Sequence, residues 1–167
     1  MIPRAGIALG SNLGDRLAHL QAARDFFREI ASGGDLLQAP IYQTAPVACP
    51  DGSPDFLNTV IDFAFTGTPR DLLDAAMEIE RRLGRIRAER NGPRTLDADL
   101  LYLGDRVLSE PDLILPHPRL HLRRFVLEPL CTIRPELVLR GQEKTVREIL
   151  ESPELSGEAL MHYRASW

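Results

Sequence analysis

The order of strand-like and helix-like segments in the first 103 residues limits the folds open to this chain. Short apolar runs bounded by turn residues indicate strands, and apolar residues at three- or four-residue spacing indicate amphipathic helices. The segments are strand Ala5–Leu9, a helix to about Ile30, strand Leu36–Tyr42, strand Phe56–Phe65, a helix from Pro69 to Gly84 and strand Asp97–Leu103. This order is typical of a split β-α-β arrangement, so we expect an α+β, ferredoxin-like sandwich. Additions are predicted as a helix at Arg123–Leu130, a strand at Leu137–Leu139 and a helix at Val146–Leu150.

Composition favours one domain and argues against two classes of partner. The 167 residues, of which 44% are hydrophobic, suffice for a single domain over 1–167, and the net charge of −4 argues against nucleic-acid or membrane partners. Cys49 and Cys131 belong to no Cys-x-x-Cys spacing, which favours a reducing compartment. The sequence shows neither a membrane-spanning apolar run nor the apolar region of a signal peptide, so we expect a cytoplasmic protein.

One segment combines a basic loop with paired carboxylates. Six of the 20 cationic residues lie within residues 81–94, around Gly92-Pro93. Asp97 and Asp99 follow on a predicted strand, where alternate residues share a face. Arginine matches phosphate oxygens in pairs, and Mg²⁺ is normally held by one or two carboxylates plus the substrate's phosphates. Either charge set alone is more often a solvated surface, but together they indicate a phosphate–metal site and phosphoryl transfer.

Each of five sequence features has two possible interpretations. The turn at residues 10–15 could bind a nucleotide, but it lacks a phosphate-loop pattern and fits helix capping by Ser11, Asn12 or Asp15 better. Asn58 could bond the end of a turn or the amide-like edge of a heterocycle. For Glu80 the alternatives are an ion pair with nearby arginines and a substrate contact. His117 is structural or functional, and Phe125 is a core residue or a stacking surface.

Five blocks of this sequence carry a family resemblance. They are Gly10-Ser11-Asn12-Leu13-Gly14, Tyr42-x-Thr44-x-Pro46, Phe56-Leu57-Asn58, Gly92-Pro93-Arg94-Thr95-Leu96-Asp97-x-Asp99, and Pro116-His117-Pro118-Arg119 with Arg123-x-Phe125. In this order they closely resemble the 6-hydroxymethyl-7,8-dihydropterin pyrophosphokinases of folate biosynthesis, over residues 5 to about 150. The fold of that family agrees with the split β-α-β prediction.

The resemblance implies transfer of the terminal pyrophosphoryl unit of ATP to the hydroxymethyl oxygen of the pterin, with release of AMP. It implies two Mg²⁺ ions on Asp97 and Asp99, and Arg85 and Arg94 as the residues that stabilise the transition state. The other implied ATP contacts are Glu80, Arg87, Leu100, His117 and Arg123. The implied pterin site consists of the stacking rings Phe56 and Phe125, with Asn58, Thr44, Ala45 and Pro46 at the edge of the heterocycle. A monomer is the expected state.

The chain departs from some members of that family. Asn91 stands where some carry Trp, the loop before it is one residue shorter, and Phe56 stands where Tyr is common. Two other classes of function remain as alternatives. One is a two-metal nucleotidyl cyclase or polymerase-palm enzyme, which also places paired Asp on such a sheet. The other is a non-catalytic RNA-binding module, which the acidic charge disfavours.

Overall fold

The structure, a computed structural model, describes residues 1–46, 49–85, 92–157 and 159–167. Its strands are β1 Arg4–Ser11, β2 Leu36–Gln38, β3 Ile41–Thr44, β4 Phe56–Ala64, β5 Asp97–Leu103, β6 Leu108–Glu110, β7 Leu113–Leu115 and β8 Met161–Arg164. Its helices are α1 Arg16–Ile30, α2 Pro69–Arg82, α3 Arg124–Ile133 and α4 Val146–Glu151, with short 3-10 segments at Ser32–Gly34 and Leu120–Leu122. The elements predicted for the first half of the chain therefore occur in the predicted order.

The main sheet is antiparallel, and its strand order confirms the predicted fold class. The strands lie in the order β5-β1-β4-β3-β8, and β2 also pairs with β4. β1 pairs antiparallel with β4 on one side and with β5 on the other. The first strand thus lies between two strands that come later in the chain, as a split β-α-β sandwich requires. β6 and β7 form a separate hairpin.

Helices pack on both faces of this sheet. α1 and α2 form a core cluster with one face that includes Phe27, Leu72 and Ile61. α3 and α4 form a second cluster with the other face, around Val60 and Leu127. Val60 and Ile61 belong to different clusters because successive strand residues point to opposite faces. Among the described residues, no helix combines the length and the apolar character needed to cross a bilayer.

A buried aspartate on β4 joins three other elements across the sheet. Asp62 is fully buried, and its Oδ2 accepts hydrogen bonds from the Tyr102 hydroxyl at 2.5 Å and from Arg134 at 2.7 Å. Arg4 donates to the same carboxylate. The Tyr102 ring passes over Gly6, where an added Cβ atom would lie 2.3 Å from the ring. Burial, and then the Asp62 charge, raise the pKa of Tyr102 well above its ordinary value, so its hydroxyl remains a donor.

The single strand predicted over Leu36–Tyr42 is wrong, because the structure has β2 and β3 with a break at Ala39 and Pro40. Proline has no N–H to donate to a sheet. The carbonyl oxygens of Ala39 and Pro40 instead accept hydrogen bonds from the Thr59 hydroxyl, at 3.1 and 3.0 Å. Both short strands still pair with β4, so the topology is unchanged.

The strand predicted at Leu137–Leu139 is also wrong. The Leu137 oxygen accepts from the N–H of Val146 at 2.8 Å, and the Leu139 oxygen accepts from the N–H of Gln142 at 2.9 Å. These bonds form the turn that leads into α4, so they are not available to a sheet. Leu139 is buried in the second core cluster, which explains the apolar pattern that suggested a strand.

The segment after Pro153, where the sequence pattern predicts no element, contributes β8 and a tryptophan contact. β8 pairs with β3 at the edge of the main sheet. Trp167 Nε1 donates to the Ala39 oxygen at 2.7 Å, and the main-chain oxygen of Trp167 accepts from Gln38 Nε2 at 2.8 Å. The Arg24 guanidinium of α1 lies 5.1 Å from the centre of the Trp167 ring. Trp167 therefore ties α1 to the break between β2 and β3.

Replacing Trp167 by alanine is expected to lower the free energy of unfolding by about 2 kcal/mol, because a partly buried ring and a hydrogen bond are lost. Trp167→Phe keeps an aromatic ring but removes the N–H donor, and should cost about 1 kcal/mol. Urea unfolding followed by circular dichroism measures both changes. Wild-type stability in Trp167→Ala would contradict the packing described here.

Candidate active site

The strand register places the predicted metal and pterin residues on one face of the sheet. Asp97 pairs with Gly10 of β1, and Gly10 pairs with Asn58 of β4. Paired residues on neighbouring strands share a face, and so do Asp99 and Phe56, each two residues away along its strand. The predicted common face of the two aspartates is therefore confirmed. Asn58 and Asp97 lie two strand spacings, about 10 Å, apart with only a glycine between them.

Asp97 is held between two of the predicted phosphate-binding arginines. Arg85 Nη1 donates to Asp97 Oδ1 at 3.0 Å, and Arg94 Nη1 donates to Asp97 Oδ2 at 3.2 Å. Glu80 is buried at the end of α2, where it accepts from the same Arg85 nitrogen at 2.7 Å and from the Ala98 N–H at 2.9 Å. The ion pair that the sequence left open for Glu80 is thus present. These bonds fix the last turn of α2 to the start of β5.

Asp99 lies in a setting that favours a bound cation. Burial, and then the charges of the Asp97 and Glu80 carboxylates, raise the pKa of Asp99 to about 7, against the opposing charges of Arg123 and Arg85. Mg²⁺ would relieve the repulsion, and it needs only one or two carboxylates when phosphate oxygens complete its shell. The carboxylate pair therefore fits magnesium. Across the described ranges no cluster of three or more His, Cys, Asp or Glu is placed to hold a metal ion.

The two predicted stacking rings each lie beside an arginine. The Arg94 guanidinium carbon is 5.4 Å from the Phe56 ring centre, and that of Arg123 is 5.4 Å from the Phe125 ring centre. Phe125, in the first turn of α3, packs against the second core cluster but is only partly buried. An aromatic face that attracts a guanidinium also offers a flat apolar surface to a heterocycle. Both rings are therefore suited to stacking.

The remaining predicted pterin residues meet at one end of β3 and β4. Asn58 is buried, and its Nδ2 donates to Thr44 Oγ1 at 2.6 Å. Thr44 pairs with Phe56 across the two strands. Ala45, which is exposed, and Pro46, which is partly buried, follow directly after β3. The structure thus brings together all the residues predicted for the pterin edge.

His117, a predicted ATP contact, packs against β5, which is an edge strand of the main sheet. The N–H of His117 donates to the Leu101 oxygen at 2.8 Å, and His117 Nδ1 accepts from the Arg119 N–H at 3.1 Å. Burial, and then the charges of Arg123 and Arg119, lower the pKa of His117 to about 4, so its ring is neutral near pH 7. The Leu100 side chain packs in the first core cluster, on the face opposite the aspartates. A ligand at this edge could therefore contact Leu100 only through its main chain.

Two predictions fall on residues that the structure does not describe. Arg87, a predicted ATP contact, and Asn91, which stands where some family members carry Trp, both lie in the gap at 86–91. On the α2 side of this gap, a cavity of about 380 Å³ is lined by Glu80, Arg85 and neighbouring residues of α2.

Sequence reasoning missed the role of Asn12. It treated Ser11, Asn12 and Asp15 together as candidate caps, and Asp15 does cap α1 by accepting from the Ala18 N–H at 3.1 Å. Asn12 is instead buried between the loop that carries Arg94 and the segment before Phe56. The only signal for this was the Gly-Ser-Asn-Leu-Gly block, because both partners lie more than 40 positions away in the sequence.

The fold and the site together define a class of enzyme. An antiparallel ferredoxin-like sheet that carries paired aspartates, two arginines bonded to one of them and partly exposed aromatic rings is suited to metal-assisted transfer of phosphate groups to a flat substrate. The comparison with known proteins narrows this class. The model of the 7,8-dihydro-6-hydroxymethylpterin-pyrophosphokinase (HPPK) family matches residues 6–135, and the chain belongs to this family.

Curated relatives agree with this membership. The chain is 41% identical over 139 residues to a 2-amino-4-hydroxy-6-hydroxymethyldihydropteridine pyrophosphokinase of Pseudomonas aeruginosa, covering 83% of this chain and 85% of that protein. It is 38% identical over 155 residues to the protein of the same name from Methylorubrum extorquens, covering 92% and 96%. Among solved structures, wild-type Plasmodium falciparum HPPK-DHPS with SDX-DHP superposes with a TM-score of 0.70 at 13% identity. That match covers 90% of this chain but 44% of the longer one, and it shows the fold alone.

The ring of His117 is expected to stay neutral until the pH falls well below 6. Its pKa of about 4 in the folded protein lies below the ordinary value of 6.5, so unfolded chains bind the proton more readily. The stability that His117 contributes is therefore complete above about pH 6.5 and is lost as the pH falls towards 4. An NMR titration of the imidazole Cε1–H, with protein unfolded in guanidinium as the reference, measures the shift. A pKa near 6.5 in the folded protein would contradict the buried position.

Proposed function

We propose that this chain transfers the terminal pyrophosphoryl group of ATP to the hydroxymethyl oxygen of 6-hydroxymethyl-7,8-dihydropterin and releases AMP. Its family, and relatives that are named as pyrophosphokinases of this pterin, support the reaction. At the site, the observation that carries the proposal is the row of Asn58, Gly10 and Asp97 on one sheet face. It supports a pterin and a triphosphate bound side by side, about 10 Å apart, across a strand with no side chain in between.

The metal part of the proposal is two Mg²⁺ ions at Asp97 and Asp99. When bound, Mg²⁺ would neutralise phosphate charge and orient the triphosphate for in-line attack. Arg85 and Arg94 donate hydrogen bonds to the two carboxylate oxygens of Asp97. If Asp97 serves as a metal ligand, both guanidinium groups become free to donate to phosphate oxygens, which accept bidentate hydrogen bonds from arginine as carboxylates do.

The chain's own contribution on the ATP side is mainly charge and position. Arg85 and Arg94 would stabilise the negative charge on the transferred group, and Glu80 holds Arg85 in place through the 2.7 Å bond. The neutral His117 ring can hydrogen-bond to ATP without adding charge. The proposed ATP contacts are Glu80, Arg87, Leu100, His117 and Arg123.

On the pterin side, Phe56 and Phe125 would stack on the heterocycle. Each ring now lies beside an arginine that also belongs to the proposed phosphate side. Movement of Arg94 or Arg123 towards phosphate would leave the adjoining ring face open for the pterin. Asn58 would then read the amide-like edge, together with main-chain groups of Thr44 to Pro46.

The same proposal covers the number of domains, the oligomeric state, the compartment and the partners of the chain. Residues 1–167 would act as one domain, as a cytoplasmic monomer, with ATP and the pterin as small-molecule substrates. The two core clusters on opposite faces of one sheet support a single folding unit. Nucleic acids and membranes are not among the proposed partners.

Asp97→Ala is expected to lower pterin-dependent AMP formation by about 10³-fold, because the charge stabilisation that a metal supplies amounts to several kcal/mol. The assay measures AMP from ATP and Mg²⁺, with and without 6-hydroxymethyl-7,8-dihydropterin. Asp105→Ala, in the exposed turn after β5, is the matched control and should keep the wild-type rate. AMP formation by the wild type that ignores the pterin would overturn the proposed function, and ADP or a cyclic nucleotide as product would favour the two-metal nucleotidyl enzymes.

Phe56→Ala is expected to raise the Kd for the pterin about tenfold, because a stacked aromatic pair contributes about 0.5–1.5 kcal/mol in addition to its buried area. Phe56→Tyr keeps the ring and should bind the pterin as the wild type does. Isothermal titration calorimetry with the pterin, in the presence of a non-hydrolysable ATP analogue and Mg²⁺, measures both. Equal affinity in wild type and Phe56→Ala would show that the pterin binds elsewhere.

A further inference from the structure

Asn12, the residue after β1, lies almost completely buried between two segments of the candidate site. Its exposed fraction is 1%. Its hydrogen bonds reach the loop that carries Arg94, on the phosphate side, and the segment that leads into Phe56, on the pterin side. A single asparagine thus contacts the main chain of both proposed substrate sites.

The first contact is a reciprocal pair of bonds to Arg94. The Arg94 N–H donates to Asn12 Oδ1 at 2.8 Å, and the Asn12 N–H donates to the Arg94 oxygen at 3.1 Å. These bonds anchor the main chain from which the Arg94 side chain extends to Asp97 and to the Phe56 ring. The position of Asn12 therefore decides where the Arg94 guanidinium can reach.

The second contact is with the segment before Phe56. Asn12 Nδ2 donates to the Pro54 oxygen at 3.2 Å. The following residue, Asp55, is held by Arg16 Nη1, which donates to its main-chain oxygen at 3.1 Å, and by Gln43 Nε2, which donates to its carboxylate at 2.9 Å. Pro54 and Asp55 are thereby fixed immediately before the stacking ring.

Gly10, two residues before Asn12, also serves the pterin side. A Cβ atom at Gly10 would lie 2.8 Å from Asn58 Oδ1 and 3.5 Å from Phe56 Cδ1. Gly10, at the end of β1, therefore leaves space for Asn58 and Phe56. Asn12, two residues later, forms hydrogen bonds to the loop that carries Arg94 and to the segment before Phe56. Both roles belong to residues 10–12 at the end of β1, which lies between β5 and β4 in the sheet.

We propose that Asn12 is a positioning residue that couples the nucleotide site to the pterin site. Nucleotide binding that draws Arg94 towards phosphate acts through Asn12 on Pro54 and so sets the position of Phe56 for the pterin. The chemistry needs asparagine, because its amide accepts from Arg94 with one atom and donates to Pro54 with the other. This inference rests on the proposed function, since it assigns Arg94 and Phe56 to ATP and pterin.

The test is the thermodynamic coupling between the two ligands. The Kd for 6-hydroxymethyl-7,8-dihydropterin is measured by calorimetry with and without saturating Mg²⁺ and α,β-methylene-ATP, which cannot transfer the group, and the ratio of the two values is the coupling factor. We expect at least a tenfold factor in the wild type and less than threefold in Asn12→Ala. Asn12→Asp keeps the acceptor for Arg94 but loses the donor to Pro54, so it should lose the coupling as well.

Asp15→Ala is the matched control. It removes the side-chain cap of α1, and so lowers the thermal stability, but it leaves both contacts of Asn12 in place. The control should therefore keep the wild-type coupling factor. Hydrogen exchange gives a second measurement: the nucleotide analogue alone should slow exchange at residues 55–56 in the wild type and in Asp15→Ala, but not in the Asn12 variants.

The outcomes separate this inference from the function on which it rests. Wild-type coupling in Asn12→Ala or Asn12→Asp, or a wild type that shows no coupling, would overturn the role of Asn12 while pterin-dependent AMP formation remained. Loss of coupling in Asp15→Ala would show a general effect of lowered stability and would overturn it too. If Asn12→Ala does not fold, Asn12→Asp decides the matter. A wild type that forms no pterin-dependent AMP would overturn the proposed function, and this inference with it.

Discussion

The side-by-side position of Asp97 and Asp99, both partly buried, is the constraint around which the site is built. Two carboxylates on one strand face, in a partly desolvated setting, repel each other, and this repulsion with burial raises the pKa of Asp99. Three arginines offset the negative charge: Arg85 and Arg94 donate to Asp97, and Arg123 acts on Asp99 through its charge. With the Glu80 carboxylate, which also accepts from Arg85, three carboxylates balance three arginines, and Mg²⁺ with triphosphate can replace internal ion pairs without a large change in net charge.

Small residues on β1 make this arrangement possible. Gly6 and Gly10 lie four residues apart on the same face of the strand. At Gly6 the Tyr102 ring crosses β1 to reach Asp62, and at Gly10 the Asn58 amide and the Phe56 ring take the space of a missing side chain. One face of a single strand therefore supports a buried polar network at one end and the proposed substrate site at the other.

A local sequence pattern was enough to predict that Asp97 and Asp99 share one face of the sheet. This follows because alternate residues of a strand point to the same side. The sequence also ordered the strands and helices of the first 103 residues correctly, apart from the break between β2 and β3. It could not show that Trp167 packs on Ala39, or that Asn12 bonds to Pro54, because these contacts join distant segments and leave no local periodicity. The break at Pro40 was readable in principle, since proline cannot donate within a sheet.

An irregularity in β5 allows one strand to serve both the site and the core. The pairing of β5 with β1 shifts register between Gly6 and Ile7, so that β5 has one more residue than its partner there, and Leu101 is the extra residue. Without it, strict alternation would put Tyr102 on the face opposite Asp97 and Asp99, away from Asp62. With it, Leu100 packs under α2 while Tyr102 returns to the face of the aspartates. The extra residue thus lets one face of β5 carry the carboxylate pair at the start of the strand and Tyr102, which bonds to Asp62, near its end.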